Sequence, residues 1–99
     1  MKYRLRETEE NEKVSWRLYF WCPGCDDVHS VDDKWEFIID NLGRLTVSPS
    51  ILVEYGNQSG DKRCHSFIEK NVWRYLDDST HKYSGFVVAM VDIPEEIVL

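Results

Sequence analysis

The chain lacks the long apolar segments that membrane proteins carry. None of its hydrophobic runs approaches the length of about 18 residues that a membrane-spanning helix needs. Its start, MKYRLRETEENEK, has charges where a signal peptide would have an apolar stretch. We therefore expect a cytoplasmic protein with no membrane segment.

Cysteine is scarce and odd in number. The three thiols belong to Cys22, Cys25 and Cys64, so one of them would stay unpaired in any set of disulfides within the chain. The reducing conditions expected in the cytoplasm also disfavour disulfides. The three cysteines are therefore better interpreted as metal ligands.

Positive charge is in the minority. The chain has 12 Lys and Arg against 18 Asp and Glu, which gives a formal net charge of −6. Such a surface repels phosphate backbones, so direct nucleic-acid binding is disfavoured. The simplest interpretation is a solvated surface. The alternative is an acidic face that binds a basic protein partner, such as the nucleic-acid groove of another protein.

Apolar bulk is sufficient for one hydrophobic core. The chain has 99 residues, 42% of them hydrophobic and 13% aromatic, a size that fits a single domain. Residues 1–99 are predicted to form one zinc-binding, β-rich domain in which 1–13 is an edge strand or a mobile arm.

Alternation of apolar and polar residues predicts strands. The clearest one begins at Val14 and runs into Cys22. Shorter patterns predict strands at 28–31, 34–39 and 86–93, and a hairpin of 63–69 with 72–76 around Lys70-Asn71. In the strand-like run LTVSPSILVEYG, Pro49 favours an edge position or a bulge.

The remaining segments are polar. Residues 57–61 are predicted to be a loop, and Asp77 to Thr80 resembles the start of a helix of one or two turns. The predicted fold class is therefore mostly β, as a small α+β protein: a compact antiparallel domain with a zinc-ribbon-like metal site and at most one short helix.

The segment Cys22-Pro23-Gly24-Cys25 is the most specific motif. Two thiolates in a Pro-Gly turn can point at one cation, which is the knuckle of structural zinc sites. A redox pair is the alternative, but it expects a βαβ pattern that this sequence lacks. Cys64 is the third predicted zinc ligand.

Three histidines compete for the fourth position. If the predicted hairpin turns at Lys70-Asn71, residues beyond Leu76 return to the level of Cys64, so His81 ranks first. His29 ranks second. His65 ranks third, because adjacent strand residues project to opposite faces and His65 would point away from the side chain of Cys64.

No catalytic constellation is evident in the sequence. HExxH is absent, as is an HxE that precedes a PCxxC, so neither zinc-protease nor deaminase chemistry has its general base. The hydroxyls of Thr46, Ser48 and Ser50 around Pro49 are interpreted as local partners of the backbone. No catalytic residue is therefore predicted.

Four motifs in order carry a family resemblance: WCPGCDDVH at 21–29, LTVSPSILVEYG at 45–56, CHSFI at 64–68 and THKYSG at 80–85. Together they resemble a family of small phage and prophage proteins of unassigned function, some of which carry the label "ammonia monooxygenase". The resemblance implies a small β fold, a phage or prophage origin, and a metal site of Cys22, Cys25, Cys64 and histidine. It implies no reaction.

Three functions are weighed on these grounds. The first is a phage-type zinc-binding interaction protein that inhibits a host defence protein through its acidic surface. The second is a small zinc-dependent hydrolase, in which water holds one metal position. The third is a redox or metal carrier that uses the CPGC motif. The sequence favours the first.

Overall fold

The computed structural model describes residues 1–56 and 62–99. They form eight strands: β1 (Tyr3–Glu10), β2 (Lys13–Cys22), β3 (Asp27–Asp32), β4 (Glu36–Ile39), β5 (Leu45–Glu54), β6 (Arg63–Glu69), β7 (Val72–Tyr75) and β8 (Val87–Ala89). The predicted loop at 57–61 lies outside the described residues. Within the described part there is no helix, and hence none that could cross a membrane. The predicted mostly β, antiparallel fold class is confirmed.

The first sheet has three strands in the order β1-β2-β3. A two-residue turn joins β1 to β2, and both of its residues, Asn11 and Glu12, have positive φ angles (52° and 65°). Such a turn matches the twist of the strands that it joins. Strand β1 lies at the edge of this sheet, so residues 3–10 are an edge strand.

The second sheet has five strands in the order β4-β5-β6-β7-β8, each antiparallel to its neighbour. The predicted hairpin of β6 with β7 is confirmed, and its tip is Lys70-Asn71 with φ angles of 50° and 63°. The Asn71 side chain accepts a hydrogen bond of 2.7 Å from the N–H of Leu45, which anchors the tip to β5.

A bulge interrupts β5. Val47 pairs with Ile68, but the next paired residue, Ile51, pairs with Ser66. The pairing thus advances four residues along β5 and two along β6. Pro49 lies inside this irregularity, as the sequence pattern allowed, and its peptide bond to Ser48 is cis. Pro49 therefore sits in a bulge, one residue beyond the last pair of β5 with β4.

The two sheets enclose one core between their inner faces. Its centre is an aromatic group: Phe20 packs edge-on against Trp73 with ring centroids 5.5 Å apart, and Trp73 stacks on Tyr75 at 5.4 Å. These three side chains are buried. On β6, Cys64, Ser66 and Ile68 alternate with less buried neighbours, so this strand has one face in the core and one outer face.

The segment after β7 differs from the prediction. Residues 77–85 form turns and irregular structure rather than the start of a helix. Hydrogen bonds to β6 replace the helical ones: Leu76 N–H donates to the His65 carbonyl and Thr80 N–H to the Arg63 carbonyl, both at 2.8 Å. The segment thus runs beside β6. Two of the hydrogen bonds from β6 go to side-chain hydroxyls and not to backbone carbonyls: Arg63 N–H donates to Thr80 Oγ1, and His65 N–H donates to Ser79 Oγ.

Because Trp73 fills the centre of the core, replacing it should be costly. We expect Trp73→Ala to lower the free energy of unfolding by about 3–5 kcal/mol. The control Val14→Ala truncates a side chain that is 64% exposed and should change it by no more than about 0.5 kcal/mol. Urea unfolding measures both, and equal losses would contradict this packing.

Candidate functional site

The CPGC turn links β2 to β3 as a compact knuckle. Asp26 N–H donates to the Cys22 carbonyl at 2.8 Å, and Cys25 N–H points at the Cys22 sulfur at 3.3 Å. Gly24 is required here, because a Cβ at this position would lie 2.3 Å from Cε1 of His81. The turn therefore presents two sulfurs on one side and packs a histidine ring on its glycine.

Four potential metal ligands converge between the two sheets. One ligand atom each from Cys22, Cys25, His29 and Cys64 lies within 4.8 Å of all the others. The first three come from the knuckle and β3, whereas Cys64 comes from β6 in the other sheet. The predicted cysteine trio is thus together in space, and its side chains tie the two sheets at one end.

The three thiols differ in how readily they ionise. A hydrogen bond from the Cys64 thiol lowers the pKa of Cys22 to about 3, and that same bond raises the pKa of Cys64. Burial, followed by the charge of Cys22, raises the pKa of Cys25 to about 11. The protein alone therefore supports one thiolate, and a bound divalent cation would favour ionisation of the others.

His29 is the histidine that lies among the three thiols, and its neighbours orient its ring. The Tyr55 hydroxyl donates to Asp27 at 3.2 Å and lies 3.5 Å from Nδ1 of His29, placed to accept the Nδ1 hydrogen. That tautomer leaves a lone pair on Nε2, which is buried and has no hydrogen-bond partner in the described residues. Metal-bound histidines are commonly oriented by such an outer partner.

The other two histidines are placed differently. His81, which the sequence analysis ranked first, lies beside the group of four: its Nδ1 accepts a hydrogen bond of 3.2 Å from the Tyr83 N–H. Its Nε2, like that of His29, is buried and has no hydrogen-bond partner in the described residues, so the ranking of His81 stays a prediction. His65 follows Cys64 on β6 and faces the outer side of the sheet.

On that outer face, three side chains form a hydrogen-bonded chain. Ser50 Oγ lies 3.1 Å from Nε2 of His65, and Nδ1 of His65 lies 3.1 Å from a carboxylate oxygen of Asp78. Asp78 on Nδ1 selects the tautomer whose Nε2 accepts a proton. This is the arrangement of a Ser-His-Asp triad, which is recognised by geometry and not by the order of the residues in the chain.

The backbone of His65 is held from both sides. Ser79, which is buried, accepts a hydrogen bond from the His65 N–H and donates one to the His65 carbonyl, both at 3.0 Å. On the other side, Leu52 of β5 pairs with His65. Arg63 reaches Asp78 at 3.8 Å and Glu54 at 3.2 Å, so a guanidinium group also neighbours the triad acid.

Ser50 and Asp78 are the residues that the sequence analysis missed. The hydroxyls around Pro49 were interpreted as partners of the backbone, yet Ser50 Oγ contacts a histidine on the neighbouring strand. Regular pairing continued from Val47 with Ile68 would place Ser50 opposite His65, but the pairing of these two strands was not predicted from the sequence. The available signal was the proline within a strand-like run, since bulges often re-aim a side chain at an active site.

The class that this fold and site define is an all-β protein in which a hydrogen-bonded Ser-His-Asp chain and a group of three thiols and a histidine with metal-ligand geometry lie on opposite faces of one strand. A family model described as "Bacterial ubiquitination-like system serine protease (BubE)" matches residues 2–76, and the chain belongs to this family. No curated protein and no solved structure matches this chain.

The family match changes the functional interpretation. The favoured hypothesis of a non-enzymatic inhibitor of host defence is wrong, because the family is described as a serine protease. The hydrolase alternative agrees better with that description. The match over residues 2–76 includes the motifs at 21–29, 45–56 and 64–68 but not the one at 80–85; the phage origin and the label "ammonia monooxygenase" stay predictions.

The grouping around the knuckle predicts how histidine variants differ in metal content. We expect His29→Gln to lower the metal bound per chain, because it removes the imidazole that lies among the thiols. The matched variant His81→Gln should retain the metal. Metal analysis of the purified proteins, with the thermal midpoint as a check on folding, measures both; loss of metal only in the His81 variant would favour His81 as the ligand instead.

Proposed function

We propose that this protein is a serine hydrolase that cleaves an amide bond in a protein substrate, with Ser50 as the nucleophile. The observation that carries the proposal is the distance of 3.1 Å between Ser50 Oγ and Nε2 of His65, with Asp78 on the opposite nitrogen. The description of the family as a serine protease of a bacterial ubiquitination-like system supports it.

The residues provide the steps of acyl transfer. As His65 Nε2 takes the hydroxyl proton, Ser50 Oγ forms a bond to the carbonyl carbon of the substrate. The resulting tetrahedral species collapses when the C–N bond breaks and His65 returns the proton to the leaving amine. Water, deprotonated by His65, then hydrolyses the acyl-serine and restores the free hydroxyl.

Asp78 has an orienting role in this mechanism. Both of its carboxylate oxygens lie close to Nδ1 of His65, at 3.2 and 3.1 Å. The carboxylate fixes the ring and stabilises the imidazolium that forms when the serine proton is taken. Ser79 supports the same ring indirectly, because it fixes the backbone from which the imidazole projects.

Zinc is the metal that the donor set fits. Three cysteines and one histidine are a common tetrahedral set for structural zinc, and we assign Cys22, Cys25, Cys64 and His29 as the ligands. Four protein ligands leave no position for water, so zinc would supply cohesion between the sheets and not a hydrolytic nucleophile. The metal centre and the triad are then separate sites on opposite faces of β6.

The partner and compartment follow from the proposed reaction. We take the substrate to be a protein, and the description of the family as a serine protease of a bacterial ubiquitination-like system supports this. A net charge of −6 disfavours a nucleic-acid substrate. We propose action in the cytoplasm, where reducing conditions keep the three thiols available to the metal. Residues 1–99 would act as one zinc-binding, β-rich domain.

Labelling with a fluorophosphonate tests the nucleophile directly. The reagent should attach to Ser50, and Ser50→Ala should abolish the labelling because it removes the attacking oxygen. Ser48→Ala is the matched control: Ser48 is an exposed serine two residues earlier on the same strand and should leave the labelling intact. Mass spectrometry of the intact protein and its peptides identifies the site, and labelling that persists in Ser50→Ala would refute the assignment.

The triad acid has its own prediction. Asp78→Asn keeps the shape but favours the wrong tautomer of His65, so we expect hydrolysis of p-nitrophenyl acetate to slow by up to about 10⁴-fold. Asp77→Asn, at the adjacent carboxylate, is the control and should keep a rate close to that of the unchanged protein. Equal rates in the two variants would show that Asp78 does not orient His65.

A further inference from the structure

The backbone of β5 changes its surroundings at Ser50. Strand β4 covers β5 only as far as the pair Glu36 with Ser48. Beyond that point, the Trp35 indole donates to the Ser50 carbonyl at 3.3 Å, while Trp35 N–H turns back to the Asp32 carbonyl. The segment Ser50–Glu54 therefore has a β6 neighbour on one side and, within the described residues, no strand on the other.

Two hydrogen bonds establish which backbone groups point to that open side. Tyr55 N–H donates to the carbonyl of Lys62, the residue before β6. Residues 51, 53 and 55 therefore direct their backbone groups toward β6 and Lys62. The Ser50 carbonyl points the other way, toward the Trp35 indole. By the two-residue alternation of a strand, the N–H and C=O groups of Leu52 and Glu54 share that direction.

The β6 side gives an independent check. Leu52 pairs with His65, and the His65 backbone bonds away from β5, to Leu76 and Ser79. The pair of Leu52 with His65 is therefore one that exchanges no backbone hydrogen bonds. By this register Leu52 N–H and C=O point away from β6, to the side on which no strand of the described residues lies, and Leu52 is 49% exposed.

An unpaired strand edge is normally protected, because it is a template for another chain. Here the edge starts at the proposed nucleophile, and the exposed Leu52 side chain is on the same outer face as Ser50. A strand added to this edge would lie about 4.8 Å from β5. That spacing brings a carbonyl of the added chain next to Ser50 Oγ.

Resting on the proposed function, we propose that the substrate binds as an extended strand along the Ser50–Glu54 edge, with main-chain hydrogen bonds to Leu52 and Glu54. Binding by strand addition takes its affinity from the backbone and its selectivity from alternate side chains. The recognised chemistry is thus an unfolded protein segment, such as a flexible tail, with an apolar residue against Leu52. A compact folded surface could not enter this edge.

Amide hydrogen exchange with two matched probes tests the proposal. Both are diphenyl phosphonates: one carries a methyl group and the other a tetra-alanine peptide. In each case Ser50 Oγ bonds to phosphorus, phenolate leaves with its electron pair, and His65 takes the serine proton. The two adducts therefore differ only in the peptide.

We expect the peptide adduct to slow exchange at the Leu52 and Glu54 amides at least about tenfold. A tenfold change corresponds to the free energy that about one hydrogen bond contributes. The methyl adduct should leave both amides as fast as in the free protein. Ile51 and Val53, which bond toward β6, should be slow in all three samples and serve as internal controls.

The outcomes separate this inference from the proposed function. If both probes label Ser50 and the Leu52 and Glu54 amides stay fast, the docking edge is wrong and the nucleophile stands. Labelling by the methyl probe alone would also contradict the proposed docking edge, because the edge would then not accept an extended chain. If neither probe labels Ser50, the proposed function fails and the inference falls with it.

Discussion

The alternation of side chains at Cys64 and His65 is the constraint on which the account depends. Successive residues of a strand point to opposite faces, so β6 sends the Cys64 sulfur into the space between the sheets and the His65 ring to the outer surface. Whatever fixes this strand fixes both sites. The pairing with β5 and the bonds from Leu76 and Ser79 do so on its two edges.

In the proposed function, the metal centre and the triad divide the work between cohesion and chemistry. A chain of 99 residues buries a modest core, and a zinc ion bound by Cys22, Cys25, His29 and Cys64 would join the two sheets where the CPGC knuckle meets β6. The proposed triad needs a fixed scaffold, since a displacement of about 1 Å at a reacting group can cost about a hundredfold in rate. A histidine next to a metal ligand on the same strand would gain rigidity from the bound ion.

The bulge in β5 lies beside the outer site. Without it, the pairing that joins Val47 to Ile68 would place Ser50 directly opposite His65; with it, Leu52 pairs with His65 and Ser50 lies diagonally from that histidine, with its Oγ 3.1 Å from Nε2. The same segment lies beyond the end of β4, so the proposed nucleophile and an open strand edge occur together.

Much of this fold could be predicted from the sequence, because period-two alternation and turn residues are local signals. The strand that enters Cys22 and the hairpin at Lys70-Asn71 are examples. The cysteine trio was also predictable, since CPGC leaves one further thiol in the chain. The grouping of His29 with that trio was not, because it depends on how two sheets approach each other.

The triad was harder still. Ser50, His65 and Asp78 have no characteristic spacing, and their contact depends on the pairing of β5 with β6 and on a segment that follows β6 through hydroxyl groups. A helix at 77–80, as the sequence suggested, would have bonded its backbone internally and left no reason for Asp78 to be opposite His65. Local patterns carry no information on such long-range contacts.

The most direct test of the central claim is the proton NMR spectrum of the histidine ring N–H groups, recorded with metal bound and after chelation. The account predicts a strongly downfield resonance from the His65 Nδ1 hydrogen held by Asp78, present in the metal-bound protein and lost when chelation releases Cys64. A resonance that is absent with metal bound, or that persists unchanged once the metal is gone, would contradict the claim that one strand couples the two sites.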